Sequence, residues 1–178
     1  MEKERYNWCV YALEKRLGLL ILLSFSTIWM ILSRLYFETL SFLVPLYLLR
    51  RRIGGWHAKN TFLCFGLSFG IVILSSSLLG RLISELPPFG LLTIDAIMIL
   101  FALCLQPEYP PQLSFSVEEK AENCRIKNRL IVFVFLLQCS SLVFFDSRVL
   151  AHSLCAVIIC VIAVLLQKQK GRYNNEKT

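Results

Sequence analysis

The chain has 178 residues, of which 56% are hydrophobic, and it carries a formal net charge of +7. Its mean hydropathy of +0.62 is too high for a soluble domain with an ordinary polar surface. We therefore predict a single domain, residues 1–178, whose main solvent is lipid. The basic residues lie in short clusters between apolar runs, as in the loops of membrane proteins. Membrane lipid is an expected partner and nucleic acid is not.

The first part of the chain holds one clear span and one ambiguous run. Residues 1–16 mix both signs of charge with aromatic residues. This mixture fits either an amphipathic cytoplasmic segment on the bilayer surface or a plain charged flank. Residues 17–33 form an uncharged run that is long enough to span the bilayer. The run Leu40–Leu49 contains a proline and is short for a straight crossing. It either crosses together with the two aromatic residues before it or is re-entrant.

Four further apolar runs follow in the sequence. Thr61–Gly80 carries no charge and predicts a spanning helix. Two adjacent prolines then stop the helix and force a turn, because neither can donate a backbone hydrogen bond. Phe89–Leu105 returns across the membrane, and Leu130–Phe145 with Val149–Gln167 predicts a final hairpin.

Two polar segments lie between and after these runs. Residues 106–129 are predicted to form a proline-containing cytoplasmic loop. Within it, Ser116 and Glu119 have the spacing of a capping box and predict the start of a short surface helix. Residues 168–178 predict a polar tail without a packing signal.

The distribution of basic residues predicts the topology. If all six runs cross, 16 of the 19 Lys and Arg residues lie on the same side as the N-terminus. By the positive-inside rule that side is cytoplasmic, and both termini lie there. The asymmetry collapses if Leu40–Leu49 does not cross. The sequence therefore predicts an all-α integral membrane protein with about six transmembrane helices, or five if that run is re-entrant.

Residues that suggest chemistry are concentrated in a cytoplasmic loop at residues 50–60 and in the first turn of the next apolar run. They are Arg50, Gly54, Gly55, His57 and Cys64. Backbone N–H groups at a helix N-terminus favour a thiolate, and a nearby imidazole can serve as its base. A lone cysteine is more often a packing residue and a lone histidine a loop residue. Together, His57 and Cys64 predict a nucleophile and its base.

The spacing of His57 and Cys64 restricts how they meet. On one continuous helix, residues seven apart are separated by about 10.5 Å along the axis, too far for a hydrogen bond. The helix must therefore begin after His57, and Gly54 and Gly55 supply the backbone freedom to fold the imidazole back over its first turn. Arg50 is expected to anchor the topology, with an acidic peptide as a further candidate ligand.

The pattern Arg-x4-Gly-x-His-Ala, with Cys seven residues after the His, resembles the accessory gene regulator B family. Members of that family are membrane cysteine endopeptidases that process precursors of quorum-sensing peptides. The likeness extends more loosely over the whole chain, through its length, its hydrophobic layout and its proline-containing loop. The residues that match the pattern are Arg50, Gly55, His57, Ala58 and Cys64.

The resemblance implies a function, a partner and a location. The substrate would be a short amphipathic precursor peptide of the AgrD kind, and the product a thiolactone, a lactone or a linear peptide. The resemblance also implies homodimerisation and residence in the bacterial plasma membrane, with the active site on the cytoplasmic side. Gln138, Glu118, Glu119 and Asn123 are the candidates for a third catalytic residue, and none is favoured.

The residues allow two other interpretations. His57 and Cys64 could form half of a metal site, but His152 and Cys124 offer no paired ligand spacing, so neither a metal nor a cofactor is expected. Asp95 lies inside a span and is predicted to pair with Arg81. The rival function is a non-enzymatic membrane protein, such as a small transporter or accessory subunit, with this pair in a polar path.

Overall fold

The computed structural model describes residues 2–54, 61–107, 116–144 and 146–175. These residues are helical and include no strand, which confirms the predicted all-α class. The helices are α1 (Glu2–Ser33), α2 (Tyr36–Ile53), α3 (Thr61–Leu74), a π-helical turn (Ser75–Leu79), α4 (Gly80–Ser84), α5 (Pro88–Cys104), α6 (Val117–Phe144) and α7 (Ser147–Asn175).

Four segments in the described part of the chain are long and apolar enough to cross a membrane. They are Arg16–Ser33, Phe62–Ser84, Val117–Phe144 and Ser147–Gln169, and α5 is a shorter apolar helix. A single helix satisfies all of its backbone hydrogen bonds within itself, which is what a lipid environment demands. The chain is therefore a helical membrane protein.

The first two helices are longer and more regular than the apolar runs alone predict. α1 continues without a break through residues 16 and 17, where the sequence predicts the boundary between the N-terminal segment and the first span. Arg34 turns the chain with a φ of 57°. α2 then forms one uninterrupted helix around Pro45, and its 18 residues extend about 27 Å. The run Leu40–Leu49 lies within this one helix, and its crossing of the membrane stays a prediction.

The predicted span from Thr61 begins where expected but continues to Ser84 through the π-helical turn. In this turn the Gly80 N–H donates to the carbonyl of Ser75, five residues earlier. A single π turn widens a helix locally and is commonly associated with functional or strained positions. Here it joins α3 and α4 into one long element.

The prediction of a loop over residues 106–129 is wrong for its second half. The capping box is present: the Ser116 N–H donates to Glu119 Oε2 at 2.8 Å and the Glu119 N–H to Ser116 Oγ at 3.2 Å. The helix it starts is not a short surface helix but α6, which runs to Phe144. No Gly or Pro interrupts residues 117–144, so nothing ends the helix before the apolar run begins. Similarly, α7 continues into the predicted polar tail, to Asn175.

α7 lies at the centre of the bundle. Of its apolar window, 67% is buried, compared with 6% for α1. Its contacts with α2 are the most extensive between any two helices. The largest apolar cluster joins the C-terminal ends of α2 and α5 to the middle of α6 and of α7; its buried members include Leu49, Ile53, Ile99, Ile131 and Val161. We call this the loop end of the bundle, because the segment 55–60 follows α2 there.

The buried polar side chains lie mostly in the other half of the bundle. They include Thr39, Ser75, Ser76, Asp95, Gln138 and His152. His152 is fully buried, with Nδ1 2.7 Å from the Arg148 carbonyl oxygen and Nε2 3.3 Å from that of Ser76. Because lipid tails are as apolar as leucine, helix association in a membrane depends on close packing and such polar contacts rather than on burial of apolar surface.

The predicted pairing of Asp95 with Arg81 is wrong. Asp95 is fully buried, and neither of its carboxylate oxygens has a hydrogen-bond partner. The Gln138 amide lies near this carboxyl, but their atoms do not meet in hydrogen-bond geometry. Arg81 is exposed. Asp95 lies buried in the middle of α5, whereas Arg81 lies exposed on α4.

Candidate functional site

Cys64 is the fourth residue of α3, one turn from the start of the helix. α3 begins at Thr61, so the requirement that the helix start after His57 is met. The Cys64 side chain is partly exposed and forms no disulfide, and its neighbours Phe62 and Leu63 are 86% and 56% exposed. A nucleophile at this position is open to a substrate that approaches the loop end.

α3 is held mainly against α1 rather than against the centre of the bundle. The ring of Phe25 makes edge contacts with Phe65 and Phe69, with centroids 5.4 and 5.7 Å apart. Further along the helix, Trp29 Nε1 donates to Ser76 Oγ at 3.1 Å. Aromatic edge contacts and one indole hydrogen bond therefore fix the helix that carries Cys64.

The chain before the loop ends in a conformation that requires glycine. Gly54 has a φ of 74° and a ψ of −136°, and its N–H donates to the Arg50 carbonyl at 3.2 Å. L-residues rarely adopt this backbone region, so the turn at the end of α2 requires a glycine at position 54. Arg50 itself is half-buried and lies near the Cys160 thiol of α7.

His57 and Gly55 fall outside the described residues, as does Asn60, so their predicted roles stay predictions.

Two contacts join α6 to the helix ends around this loop. Arg52 Nη1, in the last turn of α2, donates to Asn123 Oδ1 at 2.8 Å. Lys127, one turn further along α6, is 1% exposed and donates to the carbonyls of Ala102, Leu103 and Leu105 at 3.3, 3.0 and 2.6 Å. A lysine ammonium has three N–H donors, so the end of α5 satisfies all of them.

Sequence reasoning did not find these contacts. In the sequence, Lys127 and Arg52 are two of the basic residues whose distribution predicts the topology. A lysine three residues before a long apolar run was the one available signal, because a side chain there can reach back to a neighbouring helix end.

The candidates for a third catalytic residue are now placed. Glu119 is used by the capping box, and the Asn123 amide oxygen accepts from Arg52. Gln138 is 2% exposed, and its place near the far end of α6 separates it from Cys64. Glu118 is exposed at the start of α6. Of the four, Asn123 has a direct contact to the turn that leads into the loop.

Neither His152 nor the other cysteines belong to the site. His152 lies in the polar half of the bundle against the π-helical turn. No disulfide joins the cysteines whose side chains the structure describes. Over the same residues, no three His, Cys, Asp or Glu side chains form a cluster that could hold a metal ion.

The pattern of Arg, Gly, His and Cys residues resembles one family, and a comparison of the chain with family models tests this resemblance. The family model described as AgrB, accessory gene regulator B, matches residues 1–168. The chain belongs to the AgrB family. This membership implies a part in accessory gene regulation through the processing of a quorum-sensing peptide, with a peptide precursor as partner. Searches of curated proteins and of solved structures gave no match.

Proposed function

We propose that this AgrB-family protein is a membrane cysteine endopeptidase in which Cys64 is the nucleophile and His57 its base. The observation that carries the proposal is the position of Cys64, which is partly exposed and lies one turn into α3, a helix that begins four residues after His57 in the sequence. A thiol and an imidazole in this relation can carry out acyl transfer.

The reaction follows from the chemistry of the pair. His57 takes the proton of the Cys64 thiol, and Sγ attacks the carbonyl carbon of the scissile peptide bond. The tetrahedral intermediate collapses, the C–N bond breaks, and the C-terminal fragment leaves as an amine that receives the proton from the imidazolium. The N-terminal part of the precursor stays on Cys64 as a thioester.

The thioester keeps the acyl group activated, so the ring can close without ATP. If the thiol of an internal cysteine of the peptide attacks, Cys64 is released and a thiolactone forms. An internal serine gives a lactone in the same way, and water gives a linear product. A site that excludes water favours the cyclic products.

The membrane arrangement is part of the proposal. Six spans with both termini inside place the segments 50–60 and 106–129 at the cytoplasmic face of the bacterial plasma membrane. A short amphipathic precursor of the AgrD kind would bind at that face, partly in lipid. The active protein would be a homodimer. Arg50 and Gly55 complete the family pattern and support the loop.

Co-expression with a candidate precursor peptide, followed by mass spectrometry, tests this function. We expect a peptide-sized adduct on the wild-type protein that hydroxylamine removes, and no adduct on Cys64→Ala. His57→Ala should slow adduct formation without loss of folded protein. Cys104→Ala is the matched control, because Cys104 is an exposed free cysteine at the same end of the bundle. Normal cleavage by Cys64→Ala would refute the proposal.

The rival function, a non-enzymatic transporter or accessory subunit, rested on a polar path through Asp95 and Arg81. Asp95 is buried and Arg81 is exposed, so the two side chains do not form the pair on which that path was based. We therefore keep the peptidase as the conclusion.

A further inference from the structure

The hydrogen bond between Arg52 and Asn123 lies at the entrance to the loop that carries His57. Its length is 2.8 Å, and both side chains are half-buried. Arg52 is in the last turn of α2, two residues before Gly54, and Asn123 is in the second turn of α6. The bond thus joins two helices that are far apart in sequence at the point where the chain leaves α2.

α6 is itself fixed at this level by a second contact. Lys127 follows Asn123 by four residues and is buried against the carbonyls that end α5. Residues four apart lie on the same face of a helix, so Asn123 and Lys127 extend from one stripe of α6. The first turns of α6 therefore connect the end of α2 to the end of α5 and hold the two helix ends in fixed relative positions.

A loop takes its starting point from the helix before it. Gly54 begins the segment that carries His57, so a displacement or rotation of the last turn of α2 moves the point from which that segment starts. A misplacement of about 1 Å at a reacting group can cost on the order of 100-fold in rate. A bond that fixes this turn thus affects catalysis without touching the substrate.

We propose that Asn123 is a positioning residue for the reaction of Cys64 with His57, acting through Arg52. The inference rests on the proposed function and adds a residue to it. Asn123 is not assigned as the third catalytic residue, because its amide oxygen, the atom that would orient an imidazole, accepts from Arg52. A neutral acceptor also fixes the guanidinium by geometry while leaving its positive charge at the loop.

The test follows alkylation of Cys64 by iodoacetamide at pH 7 in the full-length protein in detergent, with peptide mass spectrometry to separate Cys64 from the other cysteines. The His57→Ala variant gives the rate of Cys64 alkylation in the absence of the base. Asn123→Leu, which keeps the size of the side chain but removes the acceptor, should slow alkylation about 5-fold toward that rate. Asn123→Asp retains an acceptor and should stay within about 2-fold of wild type.

Two further variants make the test specific. Glu122→Ala is the matched control, since Glu122 is the exposed neighbour of Asn123 on α6 and should react at the wild-type rate. Arg52→Lys keeps the charge but not the guanidinium fork, so it should slow alkylation as Asn123→Leu does. The double variant Arg52→Lys/Asn123→Leu should be no slower than either single variant, because both remove the same bond.

Each outcome separates this inference from the proposed function. If His57→Ala alkylates at the wild-type rate, the function itself is wrong and the positioning role falls with it. If His57→Ala is slow but Asn123→Leu is not, only the positioning role is wrong. Equal slowing by Glu122→Ala, or additive losses in the double variant, would also overturn it. Should Asn123→Leu fail to elute as folded protein, Arg52→Lys and its rate decide the question.

Discussion

A β-carbon at Gly80 would overlap the imidazole ring of His152. The glycine thus allows the end of the π-helical turn to lie against α7, where the His152 ring approaches the Ser76 carbonyl. Ser76 also accepts the indole hydrogen bond of Trp29. Three parts of the bundle, α1, the π-helical turn and α7, therefore meet at one place because residue 80 has no side chain.

Gly80→Ala should destabilise the protein by about 1–3 kcal/mol, because the new methyl group must displace the imidazole or separate the helices. Gly70→Ala is the matched control: a β-carbon there meets nothing within 4 Å. Alanine is a better helix former than glycine, so this control should be neutral or slightly stabilising. Thermal unfolding in detergent measures both. Equal transition temperatures for the two variants would contradict the contact.

Lys127→Met should destabilise the protein by about 1–3 kcal/mol, since methionine matches the length of lysine but cannot donate to the last carbonyls of α5. Lys120→Met, an exposed position on the same helix, should change stability by less than about 0.5 kcal/mol. Thermal unfolding again gives the difference. If the two variants unfold together, the Lys127 ammonium does not stabilise the end of α5.

Asp95→Asn and Arg81→Gln should act independently on stability. Asparagine keeps the shape of aspartate, and the structure shows no ion pair that its neutral side chain would break. A double-mutant cycle measured by thermal unfolding should therefore give a coupling below about 0.5 kcal/mol. A coupling above about 1 kcal/mol would restore the salt bridge that the sequence suggested.

The six-span topology predicts opposite accessibility for two positions that flank α3 and α4. A cysteine placed at Glu85, which is exposed between α4 and α5, should react with an impermeant maleimide on intact cells. A cysteine placed at Asn60 should react only after lysis, because residues 50–60 face the cytoplasm. Labelling of the Asn60 position on intact cells would rule this topology out. The labelled peptide is followed by mass spectrometry, with the natural cysteines as the internal reference.

The sequence by itself determined the class of the protein and the apolar runs that its helices contain. A lipid environment requires long apolar helices, so the runs from Thr61, Phe89, Leu130 and Val149 could be read directly. The capping box at Ser116 and Glu119 is a local pattern within four residues, and the structure has both of its hydrogen bonds. The Arg, Gly, His and Cys pattern was sufficient to indicate the family, because its residues are close together in the chain.

Only the tertiary structure decided which side chains of different helices meet. Asp95 does not pair with Arg81, Lys127 is buried against the end of α5, and Asn123 holds Arg52. Each of these depends on how far a helix is rotated about its axis. In lipid that rotation is set by close packing and interhelical hydrogen bonds rather than by a boundary between apolar and polar faces. A spanning helix has apolar residues on all of its sides, so its hydropathy pattern carries little information about its rotation.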